Sequence, residues 1–252
     1  MTEGKLTKDE KKALRKLEWE EKAKSEKKNE TIKKYSIWAS VVAVIIFAVG
    51  GLMWLVSQPA APQAGSLTTA PTTSKDISEG AKNPKVTLTE WADFECPACA
   101  AYHPLITQLV DKYKNQMLYV YRFFPLTNIH PNSHISAQAA YAANKQGAFF
   151  NYDDLLYNNQ NDWANLQDPK PVFLEYAKKL KLNVTQFNKD MTSQEAVKYV
   201  NDSEQQALSE GLDHTPTFFI NGKEINNPSS IEEFQKLIDE AIKQAATPTP
   251  KQ

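Results

Sequence analysis

Val86-Thr87-Leu88-Thr89-Glu90-Trp91-Ala92-Asp93-Phe94-Glu95-Cys96-Pro97-Ala98-Cys99 passes from a strand into a helix. Lys85 to Phe94 carries β-branched and aromatic residues with a two-residue alternation, so Val86, Leu88 and Glu90 fall on one face. From Pro97 the period changes. Leu105, Ile106, Leu109, Val110 and Tyr113 recur at helical spacing, and Pro104 within that run predicts a kink. Met117 to Phe124 is mostly apolar, the pattern of a strand covered on both faces. Strand, helix and strand in this order predict a parallel crossover and an α/β fold.

Further along, Ser133 to Gln146, Phe149 to Tyr157, Pro171 to Leu180 and Gln194 to Glu210 read as helices, the last stopped by Gly211. Asn158 to Gln167 reads as a polar loop without a site. Thr217 to Ile220 and Lys223 to Ile225 flank Asn221-Gly222, a strong two-residue hairpin signal. Ser230 to Ala245 is a closing helix, and no internal repeat occurs. Phe123, Phe124, Phe149 and Phe150 are expected in the core.

Cys96-Pro97-Ala98-Cys99 sits at the strand-to-helix junction. Residues three apart in a first helical turn are neighbours, so two sulfurs at this spacing join or separate with little backbone motion. Pro97 suits the first helical position, where its missing N–H is no loss. Cys96 then lies where unpaired backbone N–H groups and the helix dipole favour a thiolate, and Cys99 is expected to be more buried and to act second.

Asp93-Phe94-Glu95-Cys96-Pro97-Ala98-Cys99 together with His214-Thr215-Pro216-Thr217-Phe218-Phe219-Ile220-Asn221-Gly222 resembles the DsbA-like branch of the thioredoxin superfamily, extracytoplasmic thiol–disulfide oxidoreductases. The resemblance covers residues 83–246. It implies a thioredoxin fold with a helical insertion from about Ser133 to Glu210. It further implies that Cys96 is the nucleophilic and Cys99 the resolving cysteine, and that Pro216 is a cis-proline facing the disulfide. Glu90 falls where such proteins often place a buried acid that relays a proton to the resolving cysteine. The residues themselves leave open whether Glu90 is buried or an exposed strand glutamate. Thr215, His214, Pro97 and Ala98, beside the proline and the cysteines, are expected to meet substrate. Two positions depart from DsbA itself: Ala98 stands where DsbA has His, and Thr215 looks closer to isomerase-type relatives. Both put the direction of electron flow, oxidase against reductase or isomerase, in question.

The 252-residue chain has 41% hydrophobic and 23% charged residues and a net charge of −1. This balance excludes a wholly disordered chain, a polytopic membrane protein and a strongly basic nucleic-acid binder. Two cysteines exclude a disulfide-stapled scaffold. Residues 1–35 hold 12 Lys+Arg against 8 Asp+Glu, a net +4. Ile37 to Val56 is then 20 residues without a charge, flanked by Tyr35, Trp38 and Trp54. As a helix it reaches about 30 Å, the thickness of a bilayer core. The expected organisation is a charged cytoplasmic segment (1–35), a transmembrane helix (36–57) retained as a signal-anchor, a flexible linker (58–82), the outer domain (83–246) and a disordered tail (247–252). Lysines on the amino side place the N-terminus in the cytoplasm and the catalytic domain outside it.

The expected activity is donation of the Cys96–Cys99 disulfide to reduced secreted proteins, without a diffusible cofactor. The resemblance implies reoxidation by a membrane quinone-linked partner of the DsbB or vitamin K epoxide reductase (VKOR) kind. The alternative within the same chemistry is a tethered reductase or isomerase kept reduced by a transmembrane donor. Three rivals use the same residues. Cys96, Cys99, His130 and His134 spell a zinc-like set, yet 30 residues separate Cys99 from His130, so no metal site is expected. A copper relay lacks a methionine cluster. A static structural disulfide across three residues closes too short a loop to stabilise much. His103, one turn after Cys99, either tunes the thiolates or is a surface or capping residue, and the second is expected.

Overall fold

A computed structural model of the chain describes residues 67–246. The expected span at 36–57, the segment 1–35 and the tail at 247–252 lie outside the described residues. Among the described residues no helix is long and apolar enough to cross a membrane.

The first half runs β1 (Ile77–Gly80), β2 (Val86–Ala92), α1 (Pro97–Tyr113) and β3 (Met117–Phe123). Helices α2 (Ser133–Asn144), α3 (Phe149–Asn158), α4 (Gln160–Trp163), α5 (Lys170–Lys179), α6 (Val184–Met191) and α7 (Gln194–Ser209) follow. The chain returns through β4 (Thr217–Ile220), β5 (Lys223–Ile225) and α8 (Ile231–Ala246). The strands form one sheet in the order β1-β3-β2-β4-β5. β2 and β3 are parallel, joined by α1 as the strand–helix–strand pattern predicts, and the other pairs are antiparallel. This is the thioredoxin arrangement, with α2–α7 as the helical insertion between β3 and β4.

β2 is the central strand, and both its faces are covered. Leu88 and Phe94 belong to the larger core with Phe123, Phe149 and Phe234; Trp91 packs on the other face with Phe124, Ala207, Leu212 and Phe219. Phe94, just past the strand, stacks on Tyr121 at 5.2 Å and meets Tyr157 at 5.0 Å. These rings fix the chain where it turns into α1 and so hold Cys96 in place. Phe123, Phe124 and Phe149 are buried as expected, while Phe150 is half-buried.

Three expectations need correction. Residues 67–82 are not a free linker, and the folded unit begins before residue 83. β1 pairs antiparallel with β3, Ile77 is buried, and Thr69 N–H donates to Gly222 O at 3.0 Å. Buried Arg122 donates to Asp76 Oδ1 at 2.8 Å, to Thr69 Oγ1 at 2.8 Å and to Ala70 O at 3.0 Å. A Pro- and Thr-rich segment cannot order itself, but here the sheet edge and a buried guanidinium supply its partners. Second, Asn158 to Gln167 contains α4, because Trp163 is buried and its Nε1 donates to Leu156 O at 2.9 Å. Third, α6 occupies a stretch not foreseen as helical. Asn183 caps it, its Oδ1 accepting from Gln186 N–H at 3.0 Å. The closing hairpin forms as expected, with Asn221 at φ 51° and Gly222 at φ 80°.

Candidate active site

Cys96 is the N-cap of α1 and Pro97 its first residue. The cap has extended backbone (φ −71°, ψ 120°), and no side chain satisfies the first helical N–H groups. Those groups point at the sulfur instead. Both cysteines are free thiols, Cys96 7% exposed and Cys99 fully buried, while Pro97 and Ala98 between them face solvent. The pair is therefore more open on the side of Pro97 and Ala98, and Cys96 is the more accessible of the two sulfurs.

Across from α1 the loop before β4 carries a cis Thr215–Pro216 bond. The Cys96 thiol donates to Thr215 O at 3.5 Å, bringing together residues 119 apart in sequence. The Cys99 thiol, as donor, drives the Cys96 pKa down to about 5, against opposition from burial. The Thr215 hydroxyl, which has no other hydrogen-bond partner, and the backbone N–H groups of Cys99 and Ala98 add to the fall. Burial pushes the Cys99 thiol well above the ordinary cysteine range, and the neighbouring sulfur and Glu90 push the same way. One sulfur is thus held as an anion and the other as a proton donor.

Glu90 is buried, 3% exposed, beneath the pair. Burial raises its pKa to about 7; the Tyr119 hydroxyl, donating to Oε2 at 2.5 Å, opposes the rise and the charge of Cys96 adds to it. The question of an exposed or a buried glutamate is answered by both faces of β2 being covered. A carboxyl near 7 exchanges its proton at physiological pH. His214 adjoins the cis-proline loop but is exposed, and its Nδ1 lies 2.8 Å from Asp213 Oδ1. Thr215 and Pro216 are buried.

Several residues around the dithiol were not foreseen. Gln160 on α4 donates through Nε2 to Phe94 O at 2.7 Å and to Cys96 O at 3.0 Å. Asp93 Oδ1 accepts from Glu95 N–H at 2.8 Å, and its Oδ2 accepts from Leu126 N–H at 2.9 Å and meets His130 Nδ1 at 2.7 Å. Glu95 Oε2 accepts from Asn132 N–H at 2.5 Å. Asp93 carried a local signal, since a short carboxylate after a strand readily takes backbone donors. Gln160, 64 residues from Cys96, carried none.

The zinc-like set does not assemble. His130 is engaged by Asp93, and His134 by Asn201 Oδ1 at 2.7 Å and Gln138 Nε2 at 2.6 Å. His103 also departs from expectation: it is 9% exposed and lies between Asp153 and Asp154. The helical insertion packs over it, which its position one turn after Cys99 could not reveal.

The family model described as Thioredoxin matches residues 72–240. Its start agrees with a folded unit that includes β1. The chain is 32% identical over 171 residues to the Na(+)/H(+) antiporter NhaA 3 of Salinispora tropica, covering 68% of this chain and 25% of that protein. It thus spans about a quarter of the length of the curated relatives it matches. Among solved structures it resembles oxidised BdbD from Bacillus subtilis (TM-score 0.63, 18% identity, 70% of this chain and 98% of that one). It also resembles alpha-DsbA1 of Wolbachia pipientis (TM-score 0.62, 23% identity, 69% and 94%). At these identities the likeness is one of fold.

Proposed function

The chain belongs to the thioredoxin family, and on that premise we propose that it is a protein thiol–disulfide oxidoreductase that donates its Cys96–Cys99 disulfide to reduced protein substrates. The asymmetry of the dithiol carries this reading: Cys96 at a helix start behind an open flank, Cys99 sealed beneath it. In the disulfide form a substrate thiolate attacks Cys96 Sγ, the S–S bond breaks, and its electron pair leaves on Cys99. Cys99 takes up a proton, for which Glu90 is the donor within the core. The substrate's second thiolate then attacks the substrate sulfur of the mixed disulfide and expels Cys96 as a thiolate. Two electrons pass from substrate to protein, and the product is the dithiol. Backbone groups at Thr215 and Pro216 pair with the substrate chain, which gives loose sequence preference. Pro97, Ala98 and His214 border the path by which it arrives.

The low pKa of Cys96 favours the dithiol form and supports donation over reduction. Ala98 and Thr215, which depart from DsbA itself, favour a second reading in which a transmembrane donor keeps the pair reduced for reductase or isomerase work. The setting belongs to the proposal as well: residues 36–57 tether the domain on the extracytoplasmic side, near a quinone-linked reoxidant of the DsbB or VKOR kind. The test is Cys99→Ser in intact cells. A protein adduct through Cys96, sensitive to reductant, is the expected product; absence of any adduct overturns the redox reading. The redox state of the unmodified pair separates the directions, disulfide for donation and dithiol for reduction.

A further inference from the structure

His103 on α1 faces two adjacent carboxylates of α3. Its Nε2 lies 2.9 Å from Asp154 Oδ1 and its Nδ1 3.4 Å from Asp153 Oδ2. One ligating atom taken from each residue gives a set that lies within 4.8 Å of one another. Nitrogen and oxygen ligands of a tetrahedral zinc ion, at bonds of about 2.0–2.2 Å, sit about 3.3 Å apart, so the three side chains would have to draw inward around one imidazole nitrogen to hold it. The three residues line a cavity of about 210 Å³ that Glu79 and Asp111 also border. Among the described residues lining it there is no Lys or Arg.

A second observation points to a ligand. Asp153 is 5% exposed, lines this cavity, and its Oδ1 has no hydrogen-bond partner. Buried carboxylate oxygens are nearly always satisfied, and an orphaned one bears its desolvation cost uncompensated. A rotation of this carboxyl would turn its unsatisfied oxygen toward the acid-ringed cavity, where a positive charge would satisfy it.

We propose that His103, Asp153 and Asp154 bind one divalent cation of the zinc class, which clips the helical insertion to the thioredoxin core. The imidazole selects a borderline transition ion over calcium or magnesium, which prefer all-oxygen sites. Glu79 borders the same cavity outside this set, and water completes the ion's coordination. The clip joins residues 51 apart in sequence, so it closes a long loop and stabilises the junction of α1 with α3. Tyr119 lines the cavity and donates to Glu90, so the site shares a wall with the buried acid but contains neither cysteine. The assignment stands independently of the redox reading.

The test uses the untagged full chain in its disulfide form, because free thiols bind zinc themselves. Zinc ions alone are titrated against a chromophoric chelator, and thermal unfolding is followed as zinc is added. One equivalent is expected to bind, and Tm to rise with zinc concentration. Affinity should fall at least about tenfold in Asp154→Asn and in His103→Gln. Asp154 is half exposed, so its Asn variant keeps the fold, which an unchanged zinc-free Tm verifies. Cobalt in place of zinc should give the visible absorption of a tetrahedral nitrogen–oxygen site. Three results overturn the proposal: no stoichiometric zinc binding, equal affinity in Asp154→Asn and the parent, or preference for calcium or magnesium over zinc.

Discussion

Replacing Cys99 with Ala removes the donor that does most to lower the Cys96 pKa. In the parent dithiol that pKa falls from 9.0 to about 5, a differential stabilisation of the anion of about 5 kcal/mol. A hydrogen bond to a charged group contributes about 1.5–3 kcal/mol, so its loss should raise the Cys96 pKa by about 1–2 units. The backbone N–H groups of Ala98 and Cys99 and the Thr215 hydroxyl remain, so the thiol should still ionise more readily than a free cysteine. The assay is iodoacetamide alkylation against pH, with ultraviolet thiolate absorbance as a second readout. Stability should follow. Because the folded pKa of Cys96 is depressed, its contribution is fully present above pH 9 and is lost as pH falls through about 5. The unfolding free energy of the dithiol, minus that of the disulfide form, should therefore rise between those limits. In Cys99→Ala the rise should begin at higher pH. A variant that titrates within about half a unit of the parent would show that the helix terminus and Thr215 hold the anion without Cys99. A parent thiol ionising like free cysteine would refute the whole account.

Three further outcomes are expected. In Glu90→Gln the amide still accepts from Tyr119 but cannot ionise. The folded pKa of Glu90 is raised from 4.5 to about 7, so its favourable contribution is complete below pH 4.5 and lost as pH rises through 7; the variant should match the parent at pH 4 and exceed it by about 3 kcal/mol at pH 8 in urea unfolding. The same variant should slow formation of the Cys96 mixed disulfide about a hundredfold in rapid-quench measurements, and an unchanged rate would remove Glu90 from the proton path. Gln160→Ala leaves Phe94 O and Cys96 O without their amide donor and should destabilise the fold by about 1–2 kcal/mol, read as a lower urea midpoint. Gly80→Ala should lower stability by about 2–4 kcal/mol, because a Cβ at that φ of 113° would collide with Met117 O; an unaltered midpoint would mean the β1 edge yields freely.

Elements that depend on neighbours along the chain are legible in the residues alone. The two-residue alternation ahead of Cys96, the helical period after Pro97, the apolar run of β3 and the Asn221-Gly222 turn are local patterns, and each appears where the residues put it. The cysteine spacing likewise placed both sulfurs in one helical turn. What surrounds those sulfurs depended on the tertiary structure. Thr215 meets Cys96 across 119 residues, Gln160 across 64, and His103 meets Asp154 across 51. A chain pattern encodes φ, ψ and which face is apolar, but not which distant backbone donor fills a given gap. For the same reason residues 67–82 looked like a tether. Their polar, Pro-rich composition gives no reason to fold, and only the open edge of β3 and the buried charge of Arg122 provide one. Glu90 lies between these cases: its place on β2 was readable, and its burial became definite only when Tyr119 and the covering helices closed over it.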